Sequence, residues 1–164
     1  MKQYLFVLAI LCIFSCKEKN KKNDQPKPDN PYGNGITLQS KNIQIKKAYL
    51  RFIDGTAVPE NNKVAVGQAV DIWLVVDGWK QENDKSYLGV SEKIESNNKQ
   101  HIFEQPDMMA THPEGVSAED AKLINIRAVI NTVDKHYDYF LVLFRVWDKK
   151  AEGEITGSYK LYVE

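Results

Sequence analysis

Apolar and polar residues alternate along most of the chain after residue 40, and this period of two restricts the fold more than any other feature. In residues 69–77, Val70, Ile72, Leu74 and Val76 alternate with other residues, and residues 123–132 repeat the pattern with isoleucines and an alanine. Side chains that are two residues apart share one face of a β-strand, so each segment is typical of a strand with one buried face. No segment has the period and length of an ordinary helix.

Further strands are indicated at residues 63–66, 101–104, 137–148 and 157–164, with turn sequences about every ten residues. Residues 87–94 fit either a strand or the start of a short helix. In residues 41–54 the apolar parity changes near Lys46 and Lys47, which predicts a β-bulge. Ser117 to Asp120 has the form of a capping box, with room for one helical turn. Seven or eight strands without a helix of normal length predict an all-β, antiparallel sandwich, with a closed barrel as the alternative.

Residues 43–164 are similar in pattern to the immunoglobulin-like sandwiches of secreted bacterial proteins. The similarity is carried by the Gly67-Gln68 turn between two early strands and by the ending Gly157-x-Tyr159-x-Leu161-x-Val163. It implies the fold and no particular activity, because such sandwiches carry many functions.

The first sixteen residues, MKQYLFVLAILCIFSC, have the parts of an export signal. Lys2 provides the positive charge, and residues 4–14 form an apolar run that is too short to span a bilayer. Ile13-Phe14-Ser15-Cys16 resembles the lipobox of bacterial lipoproteins, which implies that Cys16 carries the lipid, although Phe14 is bulky for its position. The alternative is an ordinary secretory signal.

These features divide the chain into a signal at residues 1–15, a lipid-anchored flexible tether at 16–40 and a β-sandwich domain at 41–164. The tether is rich in lysine, asparagine and proline and nearly lacks apolar residues, so it cannot offset the entropy of ordering. Residues 17–19 resemble the start of the surface-export signal of Bacteroidetes lipoproteins. We therefore expect anchoring in the bacterial cell envelope, in the outer membrane, with the periplasmic and the surface-exposed side both open.

Charge and cysteine content narrow the possible partners. Residues 17–31 carry five lysines and three acids, whereas residues 32–164 carry 16 basic and 19 acidic residues. The domain therefore has a net charge of −3 and lacks the basic stripe of nucleic-acid-binding proteins. Cys12 lies in the signal and Cys16 at the lipobox, so the domain contains no cysteine for a disulfide or a thiolate metal site.

Short catalytic signatures are absent from the sequence, and we expect no enzyme activity and no cofactor. Two possible metal ligand sets stay open: Met108 and Met109 with His112 for Cu(I), or His136 between two aspartates. The alternatives are a hydrophobic plug and a solvated turn.

Aromatic residues give the best indication of binding. Trp79 and Tyr87 flank a polar loop and are candidate ligand contacts, since exposed rings can stack on a sugar or anchor a partner. The alternative for Trp79 is that it folds over the end of the sandwich. Trp73 and Trp147 lie within strands and are expected in the core. The preferred function is a lipid-anchored, non-catalytic module that binds a glycan, peptide or envelope protein; the alternative is a hydrolase with a dispersed active site.

Overall fold

The computed structural model describes residues 31–131 and 137–164. Within them the chain is an all-β sandwich, and eight strands have five or more residues. The strands are β1 (Thr37–Lys41), β2 (Gln44–Phe52), β3 (Lys63–Val64), β4 (Ala69–Asp77), β5 (Lys85–Ser86), β6 (Leu88–Ser96), β7 (His101–Gln105), β8 (Val116–Ser117), β9 (Leu123–Val129), β10 (Phe140–Asp148) and β11 (Glu154–Val163). The predicted fold class is confirmed.

Two antiparallel sheets form the layers. The large sheet has the order β1-β11-β10-β6-β7, and β3 adds a short parallel pairing beside β11. The small sheet has the order β2-β4-β9, and β5 pairs with β8 separately. β4 is the central strand of the small sheet, between β2 and β9.

The core lies between the inward faces of these sheets. From the small sheet, Val70, Ile72 and Leu74 are fully buried, as the alternation predicts. From the large sheet, Val142, Val146, Ile155, Tyr159 and Leu161 are at most 1% exposed. Because side chains alternate along a strand, the residues between these positions point outward.

Two local predictions are confirmed. The register of β2 on β4 shifts between Ile45 and Lys47, which is the predicted bulge. A single turn of 3₁₀ helix at Asp120–Lys122 follows Ser117, whose Oγ accepts a hydrogen bond from the Asp120 backbone N–H at 3.0 Å. The ambiguous segment from residue 87 onward is strand β6.

The predicted boundary between tether and domain, at residues 40 and 41, is wrong. Thr37–Lys41 pairs with β11, and Ile36 is fully buried in the core. The Asn34 side chain donates hydrogen bonds to Pro59 O at 2.9 Å and to Asn62 Oδ1 at 2.7 Å, which holds the segment before β1 against the domain. Ile36 and Leu38 continue the strand alternation, but the polar residues around them gave this stretch the composition of a linker.

Two tryptophans expected in the core instead lie on the outer faces. Trp73 on β4 and Trp147 on β10 are half-buried, because each occupies the outward position of its strand. Among the described residues, no helix is long and apolar enough to cross a membrane.

Candidate functional site

Trp79, the first predicted ligand contact, is buried and not available for stacking. It is 6% exposed, and its indole Nε1 donates a hydrogen bond to Ala121 O at 3.1 Å. Its ring also packs close to Gly153 and belongs to the core cluster together with Ile43. Trp79 therefore closes one end of the sandwich, because a ring of this size gains more from burial than from exposure in a loop.

Tyr87, the second predicted contact, is half-buried. Its backbone carbonyl accepts a hydrogen bond from Lys149 N at 2.7 Å, and the Lys150 ammonium lies 4.9 Å from the centre of its ring. Because Trp79 is buried, the two residues do not form the exposed aromatic pair that the sequence suggested.

The methionine and histidine cluster has the geometry of a hydrophobic plug. Met108 and Met109 are partly buried against the core and border an apolar cavity of about 260 Å³ with Leu88 and Val90. The His112 imidazole is exposed and lies 3.2 Å from the Glu114 carboxylate. Among the described residues no group of three or more His, Cys, Asp or Glu side chains could hold a metal ion. His136 and Cys16 lie outside the described residues.

The outward face of the large sheet is the most extensive candidate site in the described part of the chain. Strand pairing places Thr37, Ser158, Leu143, Lys93 and Glu104 in one row across five strands. The next row contains Gln39, Thr156, Arg145 and Ser91. We call this surface the large-sheet face; its rows combine hydroxyl, amide and charged groups around a partly buried leucine.

Three depressions lie side by side on this face. The largest, about 560 Å³, is bordered by Asn34, Glu60, Ser158 and Tyr162. The second, about 250 Å³, is bordered by Thr37, Gln39, Leu143 and Thr156, and the third, about 440 Å³, by Ser91, Lys93, Glu104 and Arg145. Neighbouring depressions share residues: the first and second are both bordered by Thr37 and Ser158, and the second and third by Leu143 and Thr156. The three depressions are therefore parts of one groove.

The largest depression has a rigid wall. Asn62 is 4% exposed, and its Nδ2 donates hydrogen bonds to Asn34 O and to Lys160 O, both at 2.8 Å. These bonds tie the segment before β1 to β11, because a buried amide is stable only when its hydrogen bonds are made. The wall of the depression is therefore set before any ligand arrives.

Aromatic rings stand at both ends of the large-sheet face, and one of them, Tyr162, also borders the groove. At one end Tyr139 and Tyr162 are in edge-to-face contact, with ring centres 6.3 Å apart. At the other end the Trp147 ring lies directly over Gly89, where an added Cβ would come within 2.1 Å of the indole. Gly89 thus lets Trp147 lie flat on the sheet, and the Arg145 guanidinium lies 4.9 Å from its ring centre.

Charged side chains on and beside the face are paired with each other. Arg145 Nη2 lies 2.9 Å from Glu154 Oε2, and Lys93 Nζ lies 2.6 Å from Glu95 Oε1. The hydrogen bond from Arg145 lowers the pKa of Glu154, and the hydrogen bond to Glu95 raises the pKa of Lys93. Both shifts favour the charged forms of Glu154 and Lys93, and each of these groups faces a partner of opposite sign.

A buried carboxyl group lies beneath the same face. Glu92 points inward from β6, is 3% exposed, and its Oε1 has no hydrogen-bond partner among the described residues. Burial raises the pKa of Glu92 to about 7. The Tyr159 hydroxyl, also buried and without a partner in the same range, has its pKa raised by burial first and then by Glu92.

The signal for the large-sheet face was present in the sequence but incomplete. Ser158 occupies an outward position of the predicted strand at residues 157–164, but Thr156 lies just before that strand, and Ser91 lies in residues 87–94, which also fitted the start of a helix. The order of strands in the sheet depends on pairing between residues as far apart in sequence as Thr37 and Ser158. The sequence alone therefore did not predict that these residues share one surface.

Comparison with known proteins gives one structural similarity that bears on the fold. No protein-family model matches the chain, and no curated protein sequence matches it. Among the solved structures that match is the crystal structure of the C-terminal domain of wzt, with a TM-score of 0.52 and 14% sequence identity. The match covers 81% of this chain and 80% of that chain. At this identity the likeness shows the fold alone, a β-sandwich.

Proposed function

We propose that this chain is a non-catalytic, glycan-binding module of the bacterial cell envelope, attached to the membrane by a lipid on Cys16. The observation that carries the proposal is the large-sheet face, on which the hydroxyl and amide side chains of the groove lie between Tyr162 at one end of the face and Trp147 at the other. Sugar hydroxyls pair with such groups through hydrogen bonds, and sugar rings stack on aromatic faces.

The dimensions of the large-sheet face suit a chain of sugars. The aromatic ends of this face lie at Trp147, which pairs with Glu154, and at Tyr162, eight residues further along β11. At about 3.3 Å per residue this separation is about 26 Å. A single sugar is much shorter, so an oligosaccharide of several residues, lying along the strands, is the ligand that reaches both ends.

The paired charges favour a neutral glycan. Each strongly charged group near the centre of the face has a partner of opposite sign, as in Arg145–Glu154 and Lys93–Glu95. A charged ligand would have to compete with these pairs, whereas neutral hydroxyls can accept from the ammonium or donate to the carboxylate without separating them.

The open form of the groove favours binding over catalysis. A hydrolase needs convergent acid and base groups in a site that excludes water. In the described part of the chain, His101 and His112 are exposed and each lies 3.2 Å from a glutamate, and the depressions on the large-sheet face are open to solvent. We infer that the module holds its ligand and leaves it unchanged.

The test is an array of neutral oligosaccharides probed with the chain from Lys17 onward, which lacks the predicted signal and lipid. We expect retention on chains of several sugars, and binding about tenfold weaker for Trp147→Ala and for Tyr162→Ala, because each loses a stacking ring. Tyr49→Ala, which removes a ring from the opposite face of the sandwich, is the matched control and should bind normally. Absence of any neutral ligand, or equal loss in the control, would contradict the proposal.

A further inference from the structure

The outward face of the small sheet carries a second aromatic surface. Strand pairing places Tyr49, Trp73 and Asn125 in one row across β2, β4 and β9. Their neighbours on the other side of the sheet, among them Leu50, Ile72 and Ile126, are at most 2% exposed, so this row faces outward. Trp73 and Tyr49 are half-buried, and Asn125 is exposed. We call this surface the small-sheet face.

An arginine beside this row is held in place by a buried carboxylate. Arg51, Asp71 and Arg127 occupy the adjacent row of the same three strands. Asp71 is 3% exposed and accepts hydrogen bonds from Arg127 Nε at 2.7 Å and Nη2 at 2.8 Å. The Arg127 side chain is 45% exposed, so the buried carboxylate fixes a guanidinium whose outer edge faces solvent.

Positive charge exceeds negative charge on this face. Its four cations are Lys46, Lys47, Arg51 and Arg127, and its two anions are Asp71 and Asp77, of which Asp77 pairs with Lys46 at 2.9 Å. The net charge of +2 contrasts with the −3 of residues 32–164. The Arg51 guanidinium also lies 4.9 Å from the centre of the Tyr49 ring, which places it beside the aromatic row.

The small area of the face favours a small ligand over a folded protein. Three strands about 4.8 Å apart and a β4 of nine residues give a surface of roughly 10 by 26 Å. A stable protein interface needs about 800 Å² on each partner, roughly three times this area. One or two sugar rings fit within it.

We propose that the small-sheet face is a second binding site, specific for an acidic saccharide. A sugar ring stacks on Trp73 and Tyr49, and its carboxylate or phosphate accepts hydrogen bonds from Arg127 and Arg51. This site is separate from the groove for neutral glycans, lies on the opposite side of the sandwich, and does not depend on it.

The probes are polygalacturonate, its fully methyl-esterified form and mannose 6-phosphate. The first two differ only in the charge of the carboxyl group, and the third replaces the carboxylate by a phosphate. Binding to the chain from Lys17 onward is measured by titration calorimetry at 50 and 500 mM NaCl. We expect binding of polygalacturonate, of mannose 6-phosphate or of both, weakened at high salt, and at least tenfold weaker binding of the ester.

Variants separate this site from a general effect on the fold. Trp73→Ala should weaken binding of the acidic probe about tenfold and Trp73→Phe by less than about threefold, since phenylalanine keeps a stacking ring. Arg51→Gln should weaken it and reduce its dependence on salt. Phe103→Ala, which removes an exposed ring of β7 that belongs to neither proposed site, is the control and should bind normally. Two results would overturn the proposal. One is equal affinity for polygalacturonate and its ester together with no binding of mannose 6-phosphate, and the other is unchanged binding of the acidic probe by Trp73→Ala.

Discussion

Glu92→Gln should remove most of the dependence of folding stability on pH in the neutral range. The Glu92 carboxyl group is 3% exposed, faces the core from β6 and has an oxygen without a hydrogen-bond partner in the described part of the chain. Burial of this kind favours the protonated form. The folded protein therefore holds a proton on Glu92 at pH values where the unfolded chain has released it.

The size of the effect follows from the two pKa values. The pKa of Glu92 is about 7 in the folded protein, against a usual value of 4.5. Each pH unit corresponds to 1.36 kcal/mol, so a difference of about 2.5 units corresponds to about 3 kcal/mol. Because the folded state binds more protons, the free energy of unfolding falls as the pH rises from about 4.5 to about 7 and is level above that.

Urea unfolding followed by tryptophan fluorescence at several pH values from 5 to 8.5 measures this slope. We expect the wild-type chain from Lys17 onward to lose about 2 to 3 kcal/mol over this range, and Glu92→Gln to lose little. Glu95→Gln is the matched control, since Glu95 lies on the same strand but faces outward and pairs with Lys93. Its slope should equal that of the wild type.

Two results would refute the reasoning. A wild-type stability that does not change between pH 5 and 8.5 would mean that Glu92 is not held protonated. A slope that persists in Glu92→Gln would assign the pH dependence to other groups. Carboxylates whose pKa is lowered in the folded protein change the stability in the opposite direction, and Asp77, Glu82 and Glu154 are examples. Their stabilising contribution is fully present above the pKa of the unfolded chain and is lost as the pH falls through the lower pKa of the folded protein.

Three further outcomes are expected. Trp79→Ala should lower the free energy of unfolding by about 3 to 5 kcal/mol in urea titrations, since it empties a buried site and leaves Ala121 O without its donor; a loss below about 1 kcal/mol would contradict its place in the core. Ile36→Ala should lower the free energy of unfolding by about 2 to 5 kcal/mol in the same assay, whereas an unchanged free energy would contradict the burial of Ile36 in the core. Cys16→Ala should release the protein from the membrane fraction, as seen by immunoblotting of fractionated cells, and continued membrane association would argue against the lipid anchor.

Elements were predictable where the information is local. The alternation in residues 69–77 and 123–132 identified β4 and β9 and their buried faces, and the change of parity near Lys46 identified the bulge. Each depends only on the strand period of two, which a sequence displays directly. The predicted boundary between tether and domain was wrong for a related reason. Ile36 and Leu38 show the same period of two, but over too few residues to outweigh the polar composition around them.

The candidate sites were less predictable, because they depend on partners that are distant in sequence. Trp79 was the prominent aromatic residue of a loop, and only the packing of that loop against Ala121 and Gly153 decided that it is buried. Trp73 and Trp147 were expected in the core because aromatic residues within strands usually contribute to it. Both instead occupy outward positions of their strands, and Gly89 on the neighbouring strand β6 leaves room for the Trp147 ring against the sheet.

The sequence alone therefore determined the class of fold, the inward face of most strands and the expectation of an exported, lipid-anchored chain. The tertiary structure decided the order of strands in each sheet, and with it which outward residues share a surface. The reason is physical: alternation is set by the geometry of one strand, whereas a row such as Thr37, Ser158 and Leu143 forms only when strands from both ends of the domain pair in one register. Both proposed binding faces consist of such rows.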